Sequence, residues 1–248
     1  EKRRLTAMLR QKNYDKVAST GADILDGEAR FIDAHTVCVT ADDGTETQVH
    51  AGRIFINTGA LPITPAIPGA AESTRCHTSE TMMELDTLPR RLVIIGGGYI
   101  GLEFASMFAG FGSKVSVLMR SKFMKNEDED VAASVKSALQ AQGVEIIEGC
   151  EFLSLKGGEL KFDLAGESKA IAADAFLYAL GRRANTNDLN LAAAGVQTDA
   201  HGNIITNEHL QSSAAGIYAA GDVRGGEMFT YTSLDDFRII FSALFGDG

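Results

Sequence analysis

The 248-residue sequence has no apolar run approaching the ~18–20 residues that a membrane-spanning helix needs, and no long basic stripe. The first absence argues against a membrane partner. The second, with 33 acidic against 23 basic residues and a net charge of −10, argues against nucleic acid. Cysteine is scarce: Cys38, Cys76 and Cys150 lie far apart and are odd in number, which speaks against a secreted disulfide framework. Glu1-Lys2-Arg3-Arg4 leads into a mixed polar segment, not the apolar stretch of a signal peptide. These absences predict a soluble protein of a reducing cytoplasm. Only four prolines occur, and Pro62, Pro65 and Pro68 fall close together ahead of Gly69, marking an extended crossover and the best boundary candidate. What is present is globular: 45% hydrophobic and 23% charged residues, enough for one large domain or two small ones.

Leu5, Met8 and Leu9 at helical spacing predict an amphipathic surface helix over residues 1–19. Short strands follow at 29–32, 36–40 and 45–50, with a turn at Asp42-Asp43-Gly44, and 53–57 reads as a buried strand stopped by Thr58-Gly59. Beyond the crossover the pattern becomes strand, helix, strand. Residues 91–95 run into Gly96-Gly97-Gly98, then Ile100, Phe104, Met107, Phe108 and Phe111 mark one helical face, and 114–119 is the next strand. The acidic run 126–130 reads as a capped helix start, with Asn126 as N-cap and Glu129 three residues later. Val131, Val135, Ala138 and Leu139 are the expected buried stripe, and Gly143 the stop. A strand at 144–147, a polar β-meander turning at 157–158 and 165–166, and apolar strands at 175–180 and 216–220 complete the pattern. The alternation predicts an α/β fold with a parallel sheet, doubly wound and Rossmann-like, with a β-meander.

The strongest local pattern is Gly96-Gly97-Gly98-Tyr99-Ile100-Gly101, a G-x-G-x-x-G run between a strand and a helix. Each glycine has a task there: Gly96 the tight turn, Gly98 the approach of a pyrophosphate to the backbone, Gly101 the close packing of helix on strand. The helix N-terminus offers N–H groups and partial positive charge to phosphates. The alternative is a packing turn without a ligand. Coenzyme choice is read at the end of the second strand, where an NAD site carries an acid roughly 20 residues beyond the glycines. Here Met119 and Arg120 stand there, with Lys122 and Lys125 behind. No carboxylate repels a 2′-phosphate and a guanidinium can pair with it, so the pattern favours NADP over NAD. Otherwise Arg120 is a solvated strand-end residue. A second pattern, residues 217–222, delivers Asp222 beside Gly221, either as an acceptor for ribityl or ribose hydroxyls or as an Asx turn. The five histidines show no metal-ligand spacing, and adjacent Cys76-His77 makes a poor metal site, so no metal is expected.

Phe55-Ile56-Asn57-Thr58-Gly59, Ile67-Pro68-Gly69, residues 96–103, Gly181-Arg182-Arg183 with Asn185, and residues 217–222 cover nearly the whole chain in order. The set resembles the two-dinucleotide flavoprotein disulfide reductases, which include glutathione reductase, dihydrolipoamide dehydrogenase and mercuric reductase. Residues 96–115 and 221–240 look most like the branch that protects bacteria against reactive chlorine species. The resemblance implies an enzyme in which NAD(P)H delivers a hydride to FAD, and the flavin reduces a redox disulfide or an oxidant directly. It implies catalytic roles for Tyr99, a mobile aromatic lid over the nicotinamide pocket, and for Glu103, which positions the nicotinamide amide and pairs with a lysine of the flavin domain. Taken alone, those residues read as helix-start packing and an exposed helix carboxylate. It further implies Thr58, Gly59 and Arg182 near the FAD adenosine and pyrophosphate, with Gly181 among the cofactor-binding residues. Gly221 and Asp222 match the second flavin motif, and Thr230 the helix N-terminus facing the flavin pyrimidine edge. Ala184 and Tyr231 replace prolines common in the family.

A first G-x-G-x-x-G, a C-x-x-x-x-C pair and a His-Glu acid–base pair do not occur. The expectation is therefore a piece of a longer, typically homodimeric protein acting on a small-molecule redox substrate. Its parts are a partial FAD-binding domain over 1–61, an NAD(P)-binding domain over 62–184 and the second part of the FAD-binding domain over 185–248. Alone it is expected to bind a nicotinamide dinucleotide, to catalyse little and to hold FAD weakly or not at all. Two other readings stand beside it: an NAD(P)H oxidase or peroxidase with a single redox cysteine, and a non-catalytic nucleotide-sensing module. The sequence upstream of Glu1 separates the first from the reductase. Flavin fluorescence and NADPH oxidation by the full-length protein separate the second.

Overall fold

Four apolar runs and one short strand line up as a parallel sheet in the computed structural model, which describes residues 1–246. Asp247 and Gly248, the end of the expected 185–248 segment, lie outside the described residues. The strands are Cys76–His77, Ala175–Tyr178, Arg91–Ile95, Lys114–Leu118 and Glu145–Ile147, in that spatial order. Side chains of a strand alternate between faces, and here both faces are buried. Leu92, Ile94, Val115, Val117, Ala175 and Leu177 point to one side, against helices Tyr99–Gly110 and Glu129–Ala141. Val93, Ile95, Leu118, Phe176 and Tyr178 point to the other, against Phe152, Leu155, Leu160 and Phe162 of the antiparallel meander Cys150–Lys156, Glu159–Leu164 and Glu167–Ala172. Each large apolar side chain so buried contributes roughly 1.5–3 kcal/mol. Helices cover one face and the meander covers the second.

This sheet is the centre of a compact unit spanning Ala60–Arg183. Its two ends are adjacent: the Ile63 N–H donates to the Gly181 carbonyl at 3.0 Å, and the Arg182 guanidinium donates to the carbonyl of Ala60. The second unit comprises residues 1–59 and those from 184 on. It holds a three-stranded antiparallel sheet, Glu28–Phe31, Thr36–Thr40 and Glu46–His50. It also holds a parallel pair, Ile54–Ile56 with Ile217–Ala219, around Phe31, Ile56, Leu191, Ile204, Ile217 and Val223.

Several expected details differ. The strand at 53–57 is confined to Ile54–Ile56, and only Ile56 is buried; Phe55 is exposed and stacks on Tyr218 with ring centroids 5.4 Å apart. Phe111 does not join the buried face of its helix, which ends at Gly110, so the side chain swings into solvent ahead of Gly112. Leu102 and Ala105 are buried on that helix in addition to Phe104 and Phe108. Asn126 is not an N-cap. Residues 123–127 form a turn with Met124 at a φ of +44° and the Glu127 N–H bonded to the Met124 carbonyl, so the helix starts only after Asp128. Val131 and Ala138 are exposed; the stripe facing the core is Ala132, Val135, Lys136 and Leu139. Lys136 takes a position that the apolar pattern alone does not find. Its stem lies over the Phe123 ring, 6.0 Å from ammonium to centroid, while the ammonium reaches Glu148 at 2.6 Å. Helix Lys2–Ala18 buries none of its residues, so Leu5, Met8 and Leu9 are exposed.

Glu148 ties the end of strand Glu145–Ile147 to the loop above it, accepting from the Phe123 N–H as well as from Lys136. The Lys136 ammonium, with that N–H, holds its carboxyl below the usual glutamate range. A depressed carboxylate adds stability above its unfolded value and loses it as pH falls through the folded one. Glu148→Gln should therefore lower the thermal unfolding temperature at pH 7, and the gap from the parent chain should narrow as pH drops below about 4. Scanning calorimetry across that range checks it.

Candidate active site

From strand Arg91–Ile95 the chain moves one way to Lys114–Leu118 and Glu145–Ile147, and returns on the other side at Ala175–Tyr178. The switch point of such a sheet, at the carboxyl ends of its strands, is where a crevice opens. A cavity of about 340 Å³ lies there, lined by residues 96–99, 119–122, 124–127 and 179–181. That volume falls within the usual range of small-molecule sites.

Glycine shapes the floor. Gly96 has a φ of +117°, and a side chain on it would strike the Ala179 carbonyl. A side chain on Gly101 would strike the carbonyl of Gly96. Gly98, the N-cap residue of helix Tyr99–Gly110, differs: a Cβ there would meet nothing within 4 Å. The first turn of a helix has N–H groups without intrahelical acceptors, so its start presents donors toward that open space. Two of the three glycines thus stand at close backbone approaches, and the third borders open space.

The second wall carries the charge. Met119 is buried and packs its thioether against Gly97. Arg120 is exposed, lines the cavity and lies over the Phe152 ring, 5.7 Å from its centroid. Lys122 and Lys125 also line it, and Lys122 pairs with Glu129 at 3.0 Å. Gly181 closes the third side at a φ of +106°. Tyr99 reaches across to this wall and donates its phenol to Glu127 Oε1 at 2.5 Å. Glu103, one helical turn further on, is exposed and does not line the cavity. Sequence reasoning found the glycines, Met119, Arg120 and Tyr99. It missed Glu127, whose acidic run read only as a helix start.

In the second unit, two strand ends lie side by side. The register Ile217↔Ile54 and Ala219↔Ile56 places Gly221-Asp222 and Thr58-Gly59 just beyond neighbouring carboxyl ends. Asn185 links the latter turn by three bonds: the Thr58 hydroxyl donates to its carbonyl, its N–H donates to the Gly59 carbonyl, and its side-chain amide donates to the Thr58 carbonyl. Gly59, at a φ of +69°, faces open space, while Asp222 is partly buried. Thr230 is the exposed first residue of helix Thr230–Phe245. Arg182, in the other unit, spends a guanidinium N–H on the Ala60 carbonyl.

The turn at 221–224 is held by a carboxylate that the sequence reading did not single out. Asp236, 1% exposed, accepts from the Gly221 N–H at 2.7 Å and from Arg224 through Nε at 2.7 Å and Nη2 at 2.6 Å. That carboxylate raises the pKa of the Arg224 guanidinium. Its signal was an aspartate four residues before Ile240, the other buried residue of the helix.

The model of the family described as "Pyridine nucleotide-disulphide oxidoreductase" matches residues 5–236. The chain belongs to this family. A probable pyridine nucleotide-disulfide oxidoreductase of Escherichia coli (strain K12), RclA, is 40% identical over all of this chain and 56% of its own length. A mercuric reductase of Lysinibacillus sphaericus is 38% identical, covering 97% of this chain and 44% of its own. The solved structure of HOCl-induced flavoprotein disulfide reductase RclA from E. coli, as a Cu(II) complex, superposes with a TM-score of 0.92 at 39% identity, over 98% of this chain and 55% of that one. The chain spans about half the length of the curated relatives it matches. Among the described residues no His, Cys, Asp and Glu group is placed to hold a metal, and no helix is long and apolar enough to cross a membrane.

Breaking a buried ion pair on one side typically costs about 3–5 kcal/mol. Asp236→Ala should cost about that much in urea unfolding, and amide exchange at Gly221 should accelerate.

Proposed function

We propose that this chain is the nicotinamide-coenzyme-binding part of a flavoprotein oxidoreductase, one that passes a hydride from NAD(P)H through FAD to a redox disulfide or an oxidant. The observation that carries the reading is the open space at Gly98, at the start of a helix and at the switch point of a parallel sheet. Gly98 and the helix N-terminus would seat the pyrophosphate, while Gly96 and Gly101 hold strand and helix close enough to form the seat. Arg120, with Lys122 and Lys125 nearby on the same wall, would take the 2′-phosphate, which supports NADPH over NADH. Stacking on Phe152 gives that guanidinium a preferred position before a ligand arrives. Tyr99 and Glu103 are read as serving the nicotinamide end. Thr58, Gly59, Gly221, Asp222 and Thr230 are read as serving FAD, and the open space at Gly59 fits a bound group there. When bound, the coenzyme supplies the hydride. In the full-length protein, read as a homodimer, these residues bind and orient; the acceptor is reduced elsewhere.

Calorimetric titration of this chain tests the reading, with NADPH expected to bind more tightly than NADH. Gly98 has a φ of −83°, open to any residue, so Gly98→Ala should leave the unfolding temperature unchanged. The same substitution should weaken NADPH by about tenfold or more, because the methyl group enters the phosphate seat. Arg120→Glu should invert the preference toward NADH. Retention of neither coenzyme by the unaltered chain overturns the proposal, and tighter NADH binding overturns the NADPH preference.

A further inference from the structure

A side-chain hydrogen bond spans the coenzyme cavity. Tyr99 begins helix Tyr99–Gly110 on one wall, and Glu127 lies in the 119–127 segment that forms the other. Their phenol–carboxylate hydrogen bond, 2.5 Å from oxygen to oxygen, joins the two walls beside Gly98. Three cationic side chains, Arg120, Lys122 and Lys125, line the same cavity, yet Glu127 is held by the tyrosine. The turn that presents Glu127 is fixed: its N–H bonds to the carbonyl of Met124, whose φ is +44°, and Glu148 anchors the Phe123 N–H below. A carboxylate so placed opposes an incoming pyrophosphate through the ring it holds, and direct repulsion by its charge is the rival account that the test must separate.

We propose that Glu127 sets the coenzyme affinity by acting through Tyr99: its carboxylate latches the ring across the cavity, and coenzyme binding must break that bond. The inference rests on the coenzyme reading above and adds a positioning residue to it. Glu127 is not a ligand of the coenzyme here; the free energy of the latch is subtracted from that of binding. A hydrogen bond between an exposed phenol and a half-buried carboxylate is worth a factor of several in an equilibrium, not of thousands.

A double-substitution cycle separates the latch from simple charge repulsion. NADPH is titrated calorimetrically into the unaltered chain, Glu127→Ala, Tyr99→Phe and the double variant. Each single substitution should tighten NADPH about fivefold, and the double variant should gain little beyond either, since both remove the same bond. Two outcomes overturn the latch while leaving the coenzyme reading intact: unchanged or weakened binding in Tyr99→Phe, or a gain from Glu127→Ala that persists in full on the Tyr99→Phe background, as charge repulsion alone requires. Absence of NADPH and NADH binding in all four proteins overturns both.

Discussion

A carbonyl oxygen packed against an α-carbon is what the cavity depends on. The carbonyl of Gly96 sits where a side chain on Gly101 would stand, and the α-carbon of Gly96 lies against the Ala179 carbonyl. These contacts bring the helix down onto the ends of two adjacent strands. Any longer separation would move the helix start away from the switch point, and its N–H groups would no longer face the hollow. The apolar layers on both faces then hold the strands in register, so position on the cavity floor is set by backbone and not by flexible side chains.

Two carboxylates, one in each unit, use the same device to hold a turn. Glu148 accepts a backbone N–H from Phe123 and an ammonium from Lys136; Asp236 accepts a backbone N–H from Gly221 and a guanidinium from Arg224. In each case a charge-assisted bond to a cation compensates the carboxylate, while the N–H bond fixes a segment that has no strand or long helix of its own. The depth differs. Asp236 is almost wholly enclosed, whereas Glu148 keeps about a third of its side chain in solvent, at 31%. The turn beside Asp222 is accordingly the more rigidly specified of the two.

The backbone requirements were legible in the sequence. Gly96 and Gly101 stand where the close approach of strand, turn and helix leaves no room for a side chain, and the strands read at 91–95, 114–119 and 175–180 are present, the latter two ending at Leu118 and Tyr178, because doubly buried strands are written as continuous apolar runs. What the sequence hid were side chains whose partners are far along the chain. Lys136 occupies a core-facing helix position through its stem, and a count of apolar residues passes over it. Asp236 looked like one more acid on a helix until Arg224 appeared opposite it. Asn126 and Glu127 sat in a run that satisfied a capping pattern, and only the left-handed backbone at Met124 delayed the helix and turned both toward the cavity. Phe111 failed for a simpler reason: a periodic pattern does not say at which residue the helix stops.

The adjacency of residues 63 and 181 has an evolutionary consequence. A segment whose two ends are already bonded to each other adds little loop-closure entropy to any chain that carries it, whatever its length. Such a segment has the form of a cassette, since ends that lie together are what insertion into another chain requires. The hydrogen bond between Ile63 and Gly181 is the clasp of that cassette.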